Sequence, residues 1–430
     1  MLRNPKAGLV LALVMATSLW FYVQRILIPY QIADAAAHGR PRGILSDLYP
    51  RWLGTRELLL DHLDPYSAEV TRKIQTGHYG RPIDPKRPED PKDEQRFAYP
   101  VYVVFLLAPV ARLPFPGVRA GASWTLVALT LASMWIWLHV MNWRSSRGGR
   151  AIFFVLTIGS FAATQGIKLQ QLSLLVAFLI AAGIALLSAE QLFFSGVLFA
   201  IATIKPQLAV LPVAWLMLWS LSRWRKRQWW LWGFLAAMAL LVGGGELLLP
   251  GWISEFRLGL GAYARYTGGG SLLDVLAGAK AGAALAIAAI LATAVLAWRR
   301  RNVEAQSADF QIMLAWVLAV TVVVVPMTAP YNQLLLLPAV ILIVQAWNEL
   351  WRKSRLGRLL CALALLALAW PWVSSIALAI ASAVLPAVSV QKAWAVPLWT
   401  SLAIPPMILA VVILLIGRPR NAIAVAGVEA

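Results

Sequence analysis

Apolar residues recur along this chain in long blocks rather than in the short periodic clusters of a soluble domain. The first block runs from Gly8 to Ile28. Others cover Gly121–Met141, Ala151–Thr164, Leu172–Ser188, Phe193–Ile204, Leu208–Leu221 and Trp229–Leu249. Five more follow: Val275–Trp298, Gln311–Met327, Leu334–Trp347, Leu359–Leu385 and Val396–Gly417. A bilayer core of ~30 Å takes about 20 apolar residues as helix. The pattern therefore predicts an all-α, polytopic integral membrane protein with about twelve transmembrane helices. Phe193–Ile204 and Leu334–Trp347 are short for a full crossing, a length tolerated where helices border a cavity. The N-terminal block also has a signal-peptide reading. It is long for one, however, and it ends in Trp20, Phe21 and Tyr22, so a retained first span is expected.

Composition agrees with the pattern. Of the 430 residues, 60% are hydrophobic and only 13% charged, which excludes an ordinary soluble enzyme. The formal charge of +19 invites a nucleic-acid reading, but position decides otherwise. With the N-terminus inside, basic groups alternate to the cytoplasmic side: Arg3/Lys6, Arg144/Arg147/Arg150, Arg223–Arg227, Arg299–Arg301, Arg352–Arg358 and Arg418/Arg420. The short outer loops carry only Lys168, Arg257, Arg265 and Lys392. This is the positive-inside signature. It predicts a multi-pass protein of the cell inner (cytoplasmic) membrane with both termini cytoplasmic and no nucleic-acid partner. The single cysteine, Cys361, excludes disulfides and cysteine-rich metal sites.

One domain, residues 1–430, is expected. Residues 1–29 hold the first span, 30–119 a long extracytoplasmic loop, 120–417 the remaining spans and 418–430 a cytoplasmic tail. The loop contains 11 of the 19 acidic residues, so chemistry is expected there. Leu45, Leu48, Trp52, Leu58 and Leu59 predict an amphipathic helix lying on the membrane, with Pro50 and Asp47 near its start. Asp64-Pro65-Tyr66 signals a closing turn. Glu69–Arg96 is polar, with Pro82, Pro85, Pro88 and Pro91 spaced for a polyproline-type strand, read either as a mobile flap or a solvated linker. Phe97–Phe115 reads as a second interfacial helix, broken by Pro109 and Pro114.

Three stretches carry a resemblance. Asp47-Leu-Tyr-Pro-Arg51-Trp52 leads through Leu58-Leu59 to Asp64-Pro65-Tyr66. Tyr99-Pro100 leads to Leu113-Pro114. Gln171-Leu-Ser173-Leu-Leu175 precedes Lys205-Pro206-Gln207. Together, over roughly residues 1–220, they resemble the polyprenol-phosphate-mannose-dependent mannosyltransferases (glycosyltransferase family 87) of the GT-C superfamily. Val101 replaces a proline of that pattern, Gln170 a glycine and Ser173 an asparagine. Asn332 lies at an outer turn, Ala329–Gln333, where the family often carries a histidine or an acid.

The resemblance implies a GT-C-like membrane glycosyltransferase of the cell envelope. It would take a sugar from a polyprenyl-phosphate donor and pass it to a hydroxyl of a lipid or glycan acceptor at the outer face, with surrounding membrane lipids as further partners. It assigns the catalytic base to Asp47. The residues themselves allow that role, since a positioned carboxylate serves as a general base. They equally allow a helix cap paired with Arg51 one turn on. Asp34 is the competing base, and Asp64 reads as a turn former. Arg51, Tyr99, Gln171, Lys205, Arg257, Arg265 and Tyr331 are the candidate substrate-binding residues. Lys205 interrupts an apolar run, which makes it functional by default unless it snorkels to water. Arg257 and Arg265 are read in a Gly-rich outer loop, Gly251–Leu273, with Glu246 as a pairing partner. Gln165, Gln170 and Gln171 suit sugar hydroxyls or helix–helix hydrogen bonds alike. His38, His62, His78 and His139 have no metal-ligand spacing. No cofactor and no zinc are expected, a divalent cation stays open, and the Gly243–Gly245 and Gly268–Gly270 runs follow no strand that would make a nucleotide site. A transporter, a lipid-linked-sugar flippase and a non-catalytic assembly factor of the same fold are the alternatives.

Overall fold

Every apolar run becomes helix, but the helices fall into two length classes. In the computed structural model, which describes residues 5–37 and 46–416 apart from 85, 89, 92, 144, 145 and 268, six helical segments are long and apolar enough to cross a membrane. They are Pro5–Ala37, Phe115–Val140, Trp224–Leu248, Ala279–Arg299, Arg355–Val384 and Ala387–Ile416. Arg147–Ile158 and Phe161–Lys168 form a pair bent by 48°, a seventh if counted as one span. Leu172–Ser188, Leu192–Ala202, Pro206–Ser222, Ala308–Val324 and Pro330–Gln345 are shorter. No strand occurs among the described residues. The all-α membrane architecture therefore holds, with six such spanning segments among the described residues, or seven with the bent pair. Residues 38–45, the tail 418–430 and the side chains of Tyr263 and Tyr266 lie outside the described residues.

Local chemistry explains the breaks. Ser160 caps Phe161–Lys168 by accepting the Ala163 N–H at 3.2 Å. The preceding bend frees the Gly159 carbonyl, which accepts from Trp372 Nε1 at 2.6 Å. Leu172–Ser188 begins after Gln170 turns left-handed (φ 50°), and Pro206 restarts the chain after Lys205. The first helix runs past the expected end at Ile28, through a π turn at Val23–Leu27 and on to Ala37. The wide turn lies just before Pro29, where a proline ring would crowd an ordinary α turn.

The loop after it is folded rather than spread on a surface. Tyr49–Leu60 is a helix, but it is buried on every side, with Arg51, Trp52, Thr55, Glu57 and Leu58 all covered. The expected membrane-lying amphipathic helix is thus corrected. Trp52 packs on Phe115, Gly54 lies against Phe97, and Tyr49 lies against Gly77 of Ala68–Tyr79. Phe97–Phe115 shortens to a helix at Val103–Leu107 and a 3-10 turn at Ala108–Val110. The polar flap begins as the helix Ala68–Tyr79, capped by Ser67 and closed at Gly80 (φ 83°). Its proline-rich remainder is tied back. Gln75 Nε2 donates to the Glu94 carbonyl at 2.9 Å and Tyr79 OH to the Asp93 carbonyl at 2.7 Å. Arg81 clamps both oxygens of Asp90, holding that carboxyl down at about 2.

Loops that charge alternation puts on one side do meet each other. Lys168 bonds Gln31, Ser173 bonds Asn332, Gln333 bonds Ser401 and Tyr22 bonds Trp394 at one end. Gln306 bonds Ser188, Gln345 bonds Met141 and Arg227 bonds Glu304 at the other.

The closest helix crossing joins Leu192–Ala202 to Trp224–Leu248. A Cβ on Gly196 would overlap the Trp230 carbonyl, and one on Gly233 the Phe193 carbonyl. Small residues let backbones touch in this way. Alanine gains ~1 kcal/mol over glycine by helix propensity, but overlap with backbone costs ~1–3 kcal/mol. Gly196→Ala is therefore expected to lower the melting temperature of the purified protein. An unchanged or raised value would show that the crossing yields freely.

Candidate active site

Asp47 sits in the turn just before Tyr49–Leu60, half-buried, with its N–H on the Leu169 carbonyl at 2.9 Å. That bond pins the loop to the turn between Phe161–Lys168 and Leu172–Ser188. The same turn supplies Gln171, whose Nε2 donates to Asp47 Oδ2 in a very short hydrogen bond. Asp47 Oδ1 has no hydrogen bond among the described residues. Gln171 Oε1 accepts from Lys205 Nζ at 2.9 Å. Lys205 also donates to Ser173 Oγ at 2.6 Å and lies 5.0 Å from the Tyr331 ring centre. Ser173 Oγ donates in turn to Asn332 Oδ1 at 2.9 Å. An unbroken polar chain thus runs from Asp47 to Asn332 through side chains that are almost wholly buried.

Arg51 approaches from the next helical turn. Its contact with Asp47 is to the backbone carbonyl, at 2.6 Å, and its guanidinium lies 4.5 Å over the Tyr99 ring. The sequence suggested a contact to the carboxylate instead. Burial pushes the Tyr99 hydroxyl up to about 12, so it stays protonated. Of the predicted residues, Asp47, Arg51, Tyr99, Gln171, Lys205 and Tyr331 converge. Arg257 and Arg265 do not. They are exposed on Trp252–Thr267, a regular helix where a Gly-rich loop was expected. Glu246 does not reach them; its Oε1 accepts the Gly251 N–H at 2.7 Å. Asp64 caps its own turn through Tyr66 N at 2.8 Å, as its Pro-Tyr setting suggested.

Lys168, an outer-loop cation of the sequence, is buried in the same turn and reaches Gln31 at 2.6 Å. Sequence reasoning gave no role to two further neighbours. Asp93, from the flap, is raised by burial and further by the Asp47 carboxylate. His78 is buried beneath the flap, its Nδ1 without a hydrogen-bond partner. Contacts 124 to 159 residues apart assemble this cluster, so spacing gave no signal. Among the described residues no group of three or more His, Cys, Asp or Glu side chains is placed to hold a metal ion.

A sequence model of glycosyltransferase family 87 matches residues 97–326, more than half of the chain. The chain belongs to glycosyltransferase family 87. It is a membrane glycosyltransferase. No curated protein and no solved structure matches it. The family match covers Tyr99, Gln171, Ser173 and Lys205. It begins after Asp47 and Arg51 and ends before Tyr331 and Asn332. The family likeness thus extends well into the C-terminal half, beyond the first 220 residues that carried it by eye.

His78 makes the folding of this glycosyltransferase pH-dependent. Burial lowers its pKa from 6.5 to about 4, against the Asp93 carboxylate and aided by Arg51. The folded state resists the proton that the unfolded chain accepts. Its stabilising contribution is therefore complete above about pH 6.5 and is lost as pH falls to about 4, by up to roughly 3 kcal/mol. Melting temperatures should drop over that window, and His78→Asn should flatten the drop. Parallel curves for the two proteins would assign the acid sensitivity elsewhere.

Proposed function

We propose that this chain transfers a sugar, a mannosyl or related hexosyl group, from a polyprenyl-phosphate donor to a hydroxyl of a lipid or glycan acceptor at the extracytoplasmic face. The observation that supports it is the half-buried Asp47 carboxylate, held on one oxygen by Gln171, with no hydrogen bond to the other among the described residues. A carboxylate so positioned can receive a proton while its orientation is maintained.

In the proposed reaction, Asp47 Oδ1 takes the proton from the acceptor hydroxyl. The hydroxyl oxygen attacks the anomeric carbon, and the carbon–oxygen bond to phosphate breaks with its electron pair leaving on the phosphate. Charge grows on that leaving oxygen, so nearby cations stabilise the transition state more than the ground state. Lys205 and Lys168 fill this role in the proposal, with Arg51 holding the backbone of Asp47. Tyr331, half-buried beside Lys205, is the ring assigned to the sugar, and Tyr99, buried under the Arg51 guanidinium, positions Arg51. Arg257 and Arg265, far from this chain of contacts, are left at most an accessory role in drawing in anionic donor lipid.

No metal is assigned a part. The long apolar helices keep the donor's prenyl chain in the bilayer, and the folded loop admits the acceptor from water. The cytoplasmic placement of both termini in the inner membrane is part of the same proposal.

Asp47→Asn should lower transfer about 10²–10⁴-fold, with expression and donor binding retained. Full activity would sink the assignment of the base. Lys205→Met should raise the donor KM about tenfold and leave the acceptor KM unchanged, the size of one charge-assisted contact. Equal shifts in both would make Lys205 a structural residue. Purified protein supplied with polyprenyl-phosphate sugars and assayed after exhaustive chelation tests donor class and metal independence together.

A further inference from the structure

A second polar cleft lies at the end of the bundle away from Asp47. Leu172–Ser188 starts beside Gln171 and Pro206–Ser222 beside Lys205, and both run down to this cleft. Its volume is about 760 Å³, within the ~300–1,000 Å³ common for small-molecule sites. The floor is built rigidly. Arg227, buried, donates to the carbonyls of Trp219, Arg301 and Val303 at 3.1, 3.0 and 2.8 Å. Its guanidinium lies 3.9 Å over the Trp219 ring. Gln306 Nε2 ties in the Ser188 carbonyl at 2.8 Å. Glu304 is held by Arg223 and Arg227.

Two lining charges remain without a partner among the described residues, Lys226 and Glu190, and both are exposed. Glu190 stands in a left-handed turn (φ 61°), a conformation that a non-glycine residue adopts at a cost. The rim is apolar and aromatic: Phe193, Phe194 and Trp229 are exposed around the mouth. A soluble anion has no use for such a rim, whereas an acyl chain does. Tryptophans at helix ends mark the depth of lipid headgroups.

We propose that this cleft binds a phospholipid whose headgroup carries both a phosphate and a protonated primary amine. Lys226 takes the phosphate, Glu190 takes the ammonium, and the Phe193–Phe194 and Trp229 faces take the start of the acyl chains. One free charge of each sign matches a zwitterionic headgroup better than an anionic one. The ammonium of an ethanolamine headgroup donates hydrogen bonds to a carboxylate, while a choline nitrogen has none to donate. The site is independent of the transfer reaction proposed for the opposite end.

The test is native mass spectrometry of the delipidated, full-length protein titrated with phosphatidylethanolamine, phosphatidylglycerol and phosphatidylcholine. Ethanolamine lipid should be retained about three- to fivefold over the other two, the range of an exposed ion pair. Glu190→Gln should remove that preference. Lys226→Gln should weaken all three lipids by a similar factor. Both side chains are exposed, and melting curves confirm that the variants fold. Equal retention of the three lipids, stronger retention of phosphatidylglycerol, or a preference that survives Glu190→Gln would each overturn the proposal.

Discussion

An ammonium carried into the interior of a helical bundle has to be solvated by the protein, and the requirements of Lys205 organise this end of the molecule. A lysine has donors and no acceptor. The Gln171 amide must therefore turn its oxygen to Lys205, which leaves its nitrogen facing Asp47. Reversing that amide would set NH₂ against ammonium and carbonyl against carboxylate, two repulsions in a poorly hydrated place. Ser173 follows suit: it accepts from Lys205 and donates its own proton to Asn332 Oδ1. One buried charge thereby sets the polarity of the hydrogen bonds in the chain from Asp47 to Asn332. The carboxylate at the far end of that chain is held in place without being neutralised by a direct ion pair to the lysine.

The flap, the loop helix and the turns at this end of the bundle are arranged around this chain. Asp47 is anchored by its own N–H to Leu169, and Arg51 by its guanidinium to the Asp47 carbonyl. Both contacts use backbone, so the carboxylate is free of the job of holding the loop. Tyr49 packs into the space left by Gly77, which draws Ala68–Tyr79 against Tyr49–Leu60. The acidic loop is consequently a packed part of the body, and the proline-rich stretch is fastened at Gln75, Tyr79 and Arg81.

Much of this was legible in one dimension. Long apolar runs, alternating basic clusters and a loop rich in acids gave the architecture. A lysine interrupting an apolar run identified Lys205, and Asp47 with Gln171 stood out by motif. Where pattern failed, a two-residue ambiguity was usually responsible. The leucines of Tyr49–Leu60 read the same whether they face lipid or protein, because both are apolar. Glycines at 259 and 261 look like loop signals, yet both lie in the helix Trp252–Thr267, and that helix leaves Arg257 and Arg265 exposed. The Ser173–Asn332 bond joins residues that spacing could not connect. The short helices were visible as short runs, but that three of them begin beside one buried lysine was not.

Helix length has a further consequence. At 1.5 Å per residue, the 11 residues of Leu192–Ala202 rise only about 16 Å, roughly half of a ~30 Å hydrocarbon layer. The two ends of such a helix cannot both stand at a membrane surface. With its start at one membrane face, this helix would end near Lys205 within the hydrocarbon layer. In the reaction proposed above, a donor on an isoprenoid tail would meet its water-borne partner at that depth.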